Sequence, residues 1–409
     1  MLELKKGTDI LSELGGIKEI DDARKLFGEQ LDDDGKKKLS RIKNEEVLLK
    51  IANSIALVKP DSVFINTGSN SDLKKVRKMS LAKGEEILLK MKGHTIHFDL
   101  AKEQARIIDR TYYIVNPTEE ISSLAKKVLR DEALEYIRKH LVGIGKGKTL
   151  LVGFFSRGPI KAKGSLPALE ITTSTYVMHS ANILYRTAYK KFDREVKRAK
   201  TFLTNVHSEG PNRPEDLPNA RVFMDRSWLT TFSFFCTYAG NTLLLKKGNH
   251  RFAVDLATYY KKGKELSEHM FLTGLTGTGG RKTYFAGAAP SGCGKTTTAM
   301  VGTDFIGDDL AQLWIAKDGT LRGVNPEKGI FGIVEDVNQE GDPYLMKCLR
   351  EPGVEVIWSN VLIDSKKKPY WVGCGEETPK KGVNFQGDWF EGKTDELSLI
   401  HISEPTRPY

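Results

Sequence analysis

The segment YFAGAAPSGCGKTTTAM (Tyr284–Met300) joins an apolar run, a glycine-rich turn and a helix start. Gly292, Gly294, Lys295 and Thr296 fall at the spacing of a Walker A loop, with Cys293 between the glycines and Thr297 following. Small residues let successive N–H groups turn inward onto phosphate oxygens, and the helix start adds its positive end. Lys295 would set its ammonium between the terminal phosphates. The Thr296 hydroxyl would ligate the Mg2+ that accompanies a nucleotide. Ala289 stands where the pattern GxxxxGK[ST] begins with glycine, so a common P-loop ATPase fits imperfectly. Further on, DFIGDDLAQLWI (Asp304–Ile315) ends a short apolar strand on Asp308 and Asp309, where a Walker B-like acid would hold metal or metal-bound water. Alone, such a pair is more often a turn; beside a P-loop it is a metal-ligand candidate.

The elements that must position these groups are those of an α/β protein. SVFINTG (Ser62–Gly68), TYYIVN (Thr111–Asn116) and TLLVGFFS (Thr149–Ser156) read as strands. EEVLLKIANSIALV (Glu45–Val58) has helical apolar spacing, and ISSLAKKVLRDEALEYIRKHL (121–141) reads as one long amphipathic helix. Strands alternating with helices imply a mixed α/β N-terminal domain over 1–262. A P-loop domain carrying the nucleotide and metal groups follows over 263–396. SEGPNRPEDLPNA (Ser208–Ala220) reads as an exposed loop.

Bulk properties narrow the class. A chain of 409 residues with 39% hydrophobic and 28% charged residues is an ordinary globular composition. No run approaches the ~18–20 apolar residues of a membrane span, and the N-terminus lacks a secretory apolar core, so a cytoplasmic protein with no membrane partner is expected. The net charge of +10 is spread along the chain, which suits anionic small substrates better than nucleic acid. Cys236, Cys293, Cys348 and Cys374 form no CxxC pair, so reduced thiols are expected rather than a zinc knuckle or disulfides.

APSGCGKT, FIGDD and LRGVNPEKGIFG (Leu321–Gly332) occur in the order seen in GTP-dependent phosphoenolpyruvate carboxykinases, whose P-loop carries a cysteine where Cys293 stands. Upstream, YAGNTLLLKK (Tyr238–Lys247) resembles that family's YGGNSLLGKK, and EHMFLTG (Glu268–Gly274) its EHMLILG. QARIIDRT (Gln104–Thr111) resembles VARIESKT, and FFSRGPI (Phe154–Ile160) resembles FSMGP. The resemblance is collinear from about residue 100 to about residue 395. It implies the gluconeogenic lyase reaction in which oxaloacetate and GTP give phosphoenolpyruvate, GDP and CO2. It also implies Lys247, His269 and Asp309 as ligands of a catalytic Mn2+, with Thr296 and Asp308 serving the nucleotide's metal. A ligating lysine must be neutral, and the metal and neighbouring Lys246 are expected to lower its pKa. Read alone, His269 would be an ordinary helix-surface histidine and Lys246-Lys247 a solvated pair.

The same resemblance places Arg106 on the substrate carboxylate, where a guanidinium can act in bidentate fashion. Tyr238, Ala239, Gly240 and Asn241 form the substrate-facing turn, Ala239 replacing a family glycine, and Ser291 faces the substrate from the P-loop. Cys293, Lys295, Lys247 and Arg106 are thus the residues at the chemistry. Cys293 is expected to be modifiable and to influence loop mobility rather than to act as a nucleophile. Two other readings remain: a P-loop small-molecule kinase without decarboxylation, and a non-catalytic nucleotide-binding protein. LSLIHISEPTRPY (Leu397–Tyr409) is similar to translated sequencing-adapter DNA. The natural protein is therefore expected to be longer and a monomer. It would carry the base pocket, further arginines and lid beyond this chain, which alone should not complete the reaction.

Overall fold

The computed structural model describes residues 3–290 and 293–393; Ser291, Gly292 and the 397–409 tail lie outside them. Four helices open the chain, at Ile10–Gly15, Ile20–Gln30, Asp33–Leu39 and Glu45–Val58. The last shows why the sequence folds this way. Asn44 caps it by accepting from Val47 N–H at 3.0 Å, and Val47, Ile51, Ile55 and Val58 recur on one buried face.

These helices cover one face of a nine-stranded mixed sheet. Its order runs Ser62–Asn66, Thr149–Arg157, Leu166–Thr172, Leu203–Ser208, Thr230–Phe234, Arg221–Asp225, Thr111–Val115 and Lys127–Leu129, with Arg186–Thr187 beside the second strand. Strand alternation divides Thr149–Arg157 between two cores. Leu150, Val152 and Phe154 face the opening helices, while Leu151 and Phe155 face the other layer. That second layer includes the helices Thr175–Leu184 and Lys247–Asp255, the latter anchored through Phe252 and Ala253. Both faces are therefore dry, and Lys246 and Lys247 sit at the start of a helix fixed to the sheet.

Beyond it, Met270–Thr276 pairs antiparallel with Lys282–Ala288 on one side and Asp304–Gly307 on the other. Glu265–Glu268, Ala311–Ile315 and Leu321–Val324 make a second three-stranded sheet. The later strand Val356–Ser359 reaches back to pair in parallel with His94–His97, so the two halves of the chain interlock. Trp358 seals that junction, donating from Nε1 to His94 Nδ1 at 3.2 Å.

Two local expectations change. The long helix expected over 121–141 is shorter: Lys127–Leu129 joins the sheet edge in parallel with Tyr113–Val115, and only Arg130–Leu141 is helical. The backbone pairing gained at that edge overrides the apolar spacing. In the loop expected at Ser208–Ala220, Pro214–Asn219 forms a 3-10 turn that buries Leu217. No helix of the described residues is long and apolar enough to cross a membrane.

Candidate active site

The P-loop segment runs from the strand Lys282–Ala288 to the helix Lys295–Val301. Gly294 turns the chain between them at φ +74°, a left-handed conformation that glycine adopts without strain. Lys295 Nζ donates to Asp309 Oδ1 at 2.6 Å, and Thr296 Oγ1 donates to Asp308 Oδ2 at 3.1 Å. Thr297 Oγ1 donates to Asp342 Oδ1 at 2.8 Å, and Cys293 is exposed. The two aspartates follow the strand Asp304–Gly307. A Cβ at Gly307 would lie 2.3 Å from the Asn325 side chain, so the close approach of that loop requires glycine.

Asp309 is the hub. Besides Lys295 it takes an ion pair from Lys246 Nζ at 2.7 Å and has His269 Nδ1 at 3.5 Å. Burial alone would raise its pKa, but Lys246, His269 and Lys295 hold the carboxylate well below its ordinary range. Lys246 is shared with buried Glu327 at 2.8 Å. Glu327 and Asp308 are pushed upward, chiefly by burial. The His269 Nδ1 is buried without a hydrogen-bond partner among the described residues. Its ring meets that of His250 edge-on at 4.4 Å between centroids, and His250 is held well below its ordinary pKa by burial and then by His269.

Lys247, one residue on, points elsewhere. Its Nζ donates to Thr111 Oγ1 at 3.2 Å and Asn241 Oδ1 at 3.0 Å. Burial, then the charges of Arg106 and Arg251, bring its pKa down to about 7. Lys246 is not the cause expected from sequence; it pairs with the carboxylates and its own pKa rises. Asn241 Nδ2 in turn donates to Glu103 Oε1 at 3.0 Å and to the Ala105 carbonyl at 3.1 Å. Those bonds lock the helical turn Ala239–Thr242 against the segment carrying Arg106. Ala239 lies in that turn with helical backbone, so its methyl is accommodated. Gly240 is constrained: a Cβ there would lie 2.3 Å from the Tyr238 ring and 3.2 Å from Arg106 Cγ.

Two clusters thus adjoin through consecutive lysines. One holds Asp309, Asp308, Lys246, His269, Lys295 and Thr296; the other holds Arg106, Tyr238, Gly240, Asn241 and Lys247. Arg106 senses the charge of Asp309, which links them. Among the described residues no three His, Cys, Asp or Glu side chains come together as a metal site. A metal bound by His269 and Asp309 would need a further donor, and Lys247 would have to leave Thr111 and Asn241 to supply it. The His269 Nδ1, with Asp309 as its charged neighbour at 3.5 Å, fits the same role. Lys246 and Glu327 were missed as site residues, although both lie in motifs the sequence displays.

Residues 50–258 match the family model for the phosphoenolpyruvate carboxykinase N-terminal domain, and residues 265–403 match the model for its C-terminal P-loop domain. A protein of Thermococcus sibiricus called phosphoenolpyruvate carboxykinase [GTP] is 41% identical over 381 residues, which are 91% of this chain and 60% of that protein. Its namesake from Pyrococcus furiosus is 40% identical over 92% of this chain and 60% of its own length. One from Saccharolobus solfataricus is 39% identical over 87% and 56%. The chain therefore spans about 60% of the length of these curated relatives. A P-loop lysine and threonine set on paired aspartates, beside an arginine–lysine cluster, is an arrangement that both matched halves supply together, and the chain belongs to the phosphoenolpyruvate carboxykinase family.

Proposed function

We propose that this chain carries the substrate- and phosphate-facing part of a GTP-dependent phosphoenolpyruvate carboxykinase, acting in the cytoplasm on oxaloacetate. The observation that carries this reading is the double engagement of Asp309, by Lys246 at 2.7 Å and by the P-loop Lys295 at 2.6 Å. It joins a phosphate-binding group to a metal-binding candidate in one cluster. The name phosphoenolpyruvate carboxykinase [GTP] carried by the relatives supports a guanine nucleotide as donor. The four free cysteines suit a reducing compartment.

In this reading Arg106 holds an oxaloacetate carboxylate against the turn of Tyr238, Ala239 and Gly240. Loss of CO2 leaves the electron pair as the enolate of pyruvate. The enolate oxygen attacks the γ-phosphorus, the bond to the β-phosphate oxygen breaks, and GDP leaves. Lys295 exchanges Asp309 for the phosphates of the arriving nucleotide, which frees that carboxylate as a ligand. Cys293, Gly294 and Thr297 would line the phosphate turn, and Thr296 with Asp308 would hold the nucleotide's Mg2+. Mn2+ held by Lys247, His269 and Asp309 would supply Lewis-acid stabilisation of the developing oxyanion. The step needs water kept from the enolate, which it would otherwise protonate to pyruvate.

The test is formation of phosphoenolpyruvate from oxaloacetate and GTP by the uninterrupted gene product. Arg106→Lys should lower kcat/KM by about 100-fold, because a point cation replaces a bidentate fork. Nucleotide-dependent phosphorylation of another small molecule, with no decarboxylation, would overturn the reading.

A further inference from the structure

Away from the candidate active site, a cavity of about 550 Å³ opens beside the edge strand Ser62–Asn66. Lys37, Lys38, Arg41, Lys190 and Lys191 line it, against the single carboxylate of Asp34. Lys38 is already satisfied, by Asp34 at 2.7 Å and Asp72 at 2.8 Å. The other four cations make no ion pair among the described residues. Here like charges converge on one hollow, an arrangement that an anionic occupant relieves.

The walls are tied together before anything binds. Tyr189 OH donates to the Lys38 carbonyl at 2.6 Å, joining the turn of Lys190 and Lys191 to the helix Asp33–Leu39. Asp193 accepts from Lys43 N–H at 2.7 Å, fixing the chain that follows Arg41. Ile160 and the buried Tyr189 add apolar lining. The volume falls in the range of about 300–1,000 Å³ usual for small-ligand sites.

We propose that this cavity binds a phosphorylated small molecule. Its phosphate oxygens lie among Lys37, Arg41, Lys190 and Lys191, and its organic part rests on Ile160 and Tyr189. Such a site shares no residue with the P-loop or the Arg106 cluster, so its occupancy is independent of the reaction assigned above.

Lysine acetylation footprinting of the full chain, read by mass spectrometry, tests this with glycerol 3-phosphate, inorganic phosphate and potassium chloride at matched ionic strength. Glycerol 3-phosphate should slow acetylation of Lys37, Lys190 and Lys191 saturably and more than inorganic phosphate does, leaving Lys25 and Lys317 unchanged. Arg41→Gln, on an exposed side chain, should weaken that protection by about tenfold, the value of one charge-assisted hydrogen bond. Lys295→Ala should leave it intact. Equal protection by all three solutes, meaning charge screening only, would overturn the proposal. So would protection by inorganic phosphate as strong as by the organic phosphate, or protection lost with Lys295.

Discussion

Replacing Lys246 by methionine probes the buried charge cluster that holds the two halves of the site together. Lys246 Nζ lies 2.7 Å from Asp309 and 2.8 Å from Glu327, and its side chain is 6% exposed against 1% for Glu327. Removing one member of a buried ion pair typically costs about 3–5 kcal/mol, because the partner keeps an uncompensated charge out of water. The cost here falls at the lower end, about 3 kcal/mol, since Asp309 retains Lys295 at 2.6 Å and Glu327 can take up a proton. Urea unfolding followed through Trp314, which lies buried on the neighbouring strand Ala311–Ile315, reads this directly. The double variant Lys246→Met with Glu327→Gln should recover about half of the loss, because the stranded carboxylate is then neutral. A loss below about 1 kcal/mol, the value of a solvated surface pair, would refute the description of Lys246 as buried and doubly engaged.

Elsewhere, His179 lies between Glu86 at 2.8 Å and Glu355 at 3.1 Å. Burial alone would lower its pKa, but hydrogen bonds to Glu355 and Glu86 push it up to about 9 from its ordinary 6.5. A raised imidazole contributes stability that is full below its ordinary pKa and is lost as pH rises through the folded value. The urea midpoint of the wild type should therefore fall more steeply than that of His179→Gln between about pH 7 and pH 10; parallel profiles would contradict this. Thiol titration of the folded chain should find Cys293 reacting first, Cys348 slower, and buried Cys236 and Cys374 only on unfolding. Gly240→Ala should cost about 1–3 kcal/mol by overpacking, read in the same urea titration, since its methyl would meet the Tyr238 ring at 2.3 Å.

Much of this arrangement is legible in the residues themselves. The helix Glu45–Val58 follows from its apolar spacing, and the strand–turn–helix of the P-loop follows from an apolar run leading into spaced glycines. The placement of Asp308 and Asp309 beside Lys295 and Thr296 is likewise implied by a short strand ending on paired acids. What stays hidden is direction and burial. Lys246 and Lys247 are chemically identical neighbours, yet successive residues at a helix start diverge by about 100°, sending one to the carboxylates and the other to Asn241. The burial of Glu327 in NPEKG cannot be read locally, because nothing nearby in sequence says that Lys246 and Tyr185 enclose it. Residues 127–129 mislead in the opposite sense, since their spacing fits a helix while an open sheet edge supplies the stronger pairing.

The central proposal is that Lys247, released from Thr111 and Asn241, joins His269 and Asp309 on a divalent ion beside the P-loop. Electron paramagnetic resonance of Mn2+ titrated into the chain measures this without any need for turnover. One Mn2+ site is predicted, weakened by about tenfold or more in each of His269→Gln and Asp309→Asn, because each removes one of three protein donors. Affinity unchanged by both substitutions would contradict the account, since the ion would then lie somewhere other than the cluster that joins the phosphate loop to Arg106.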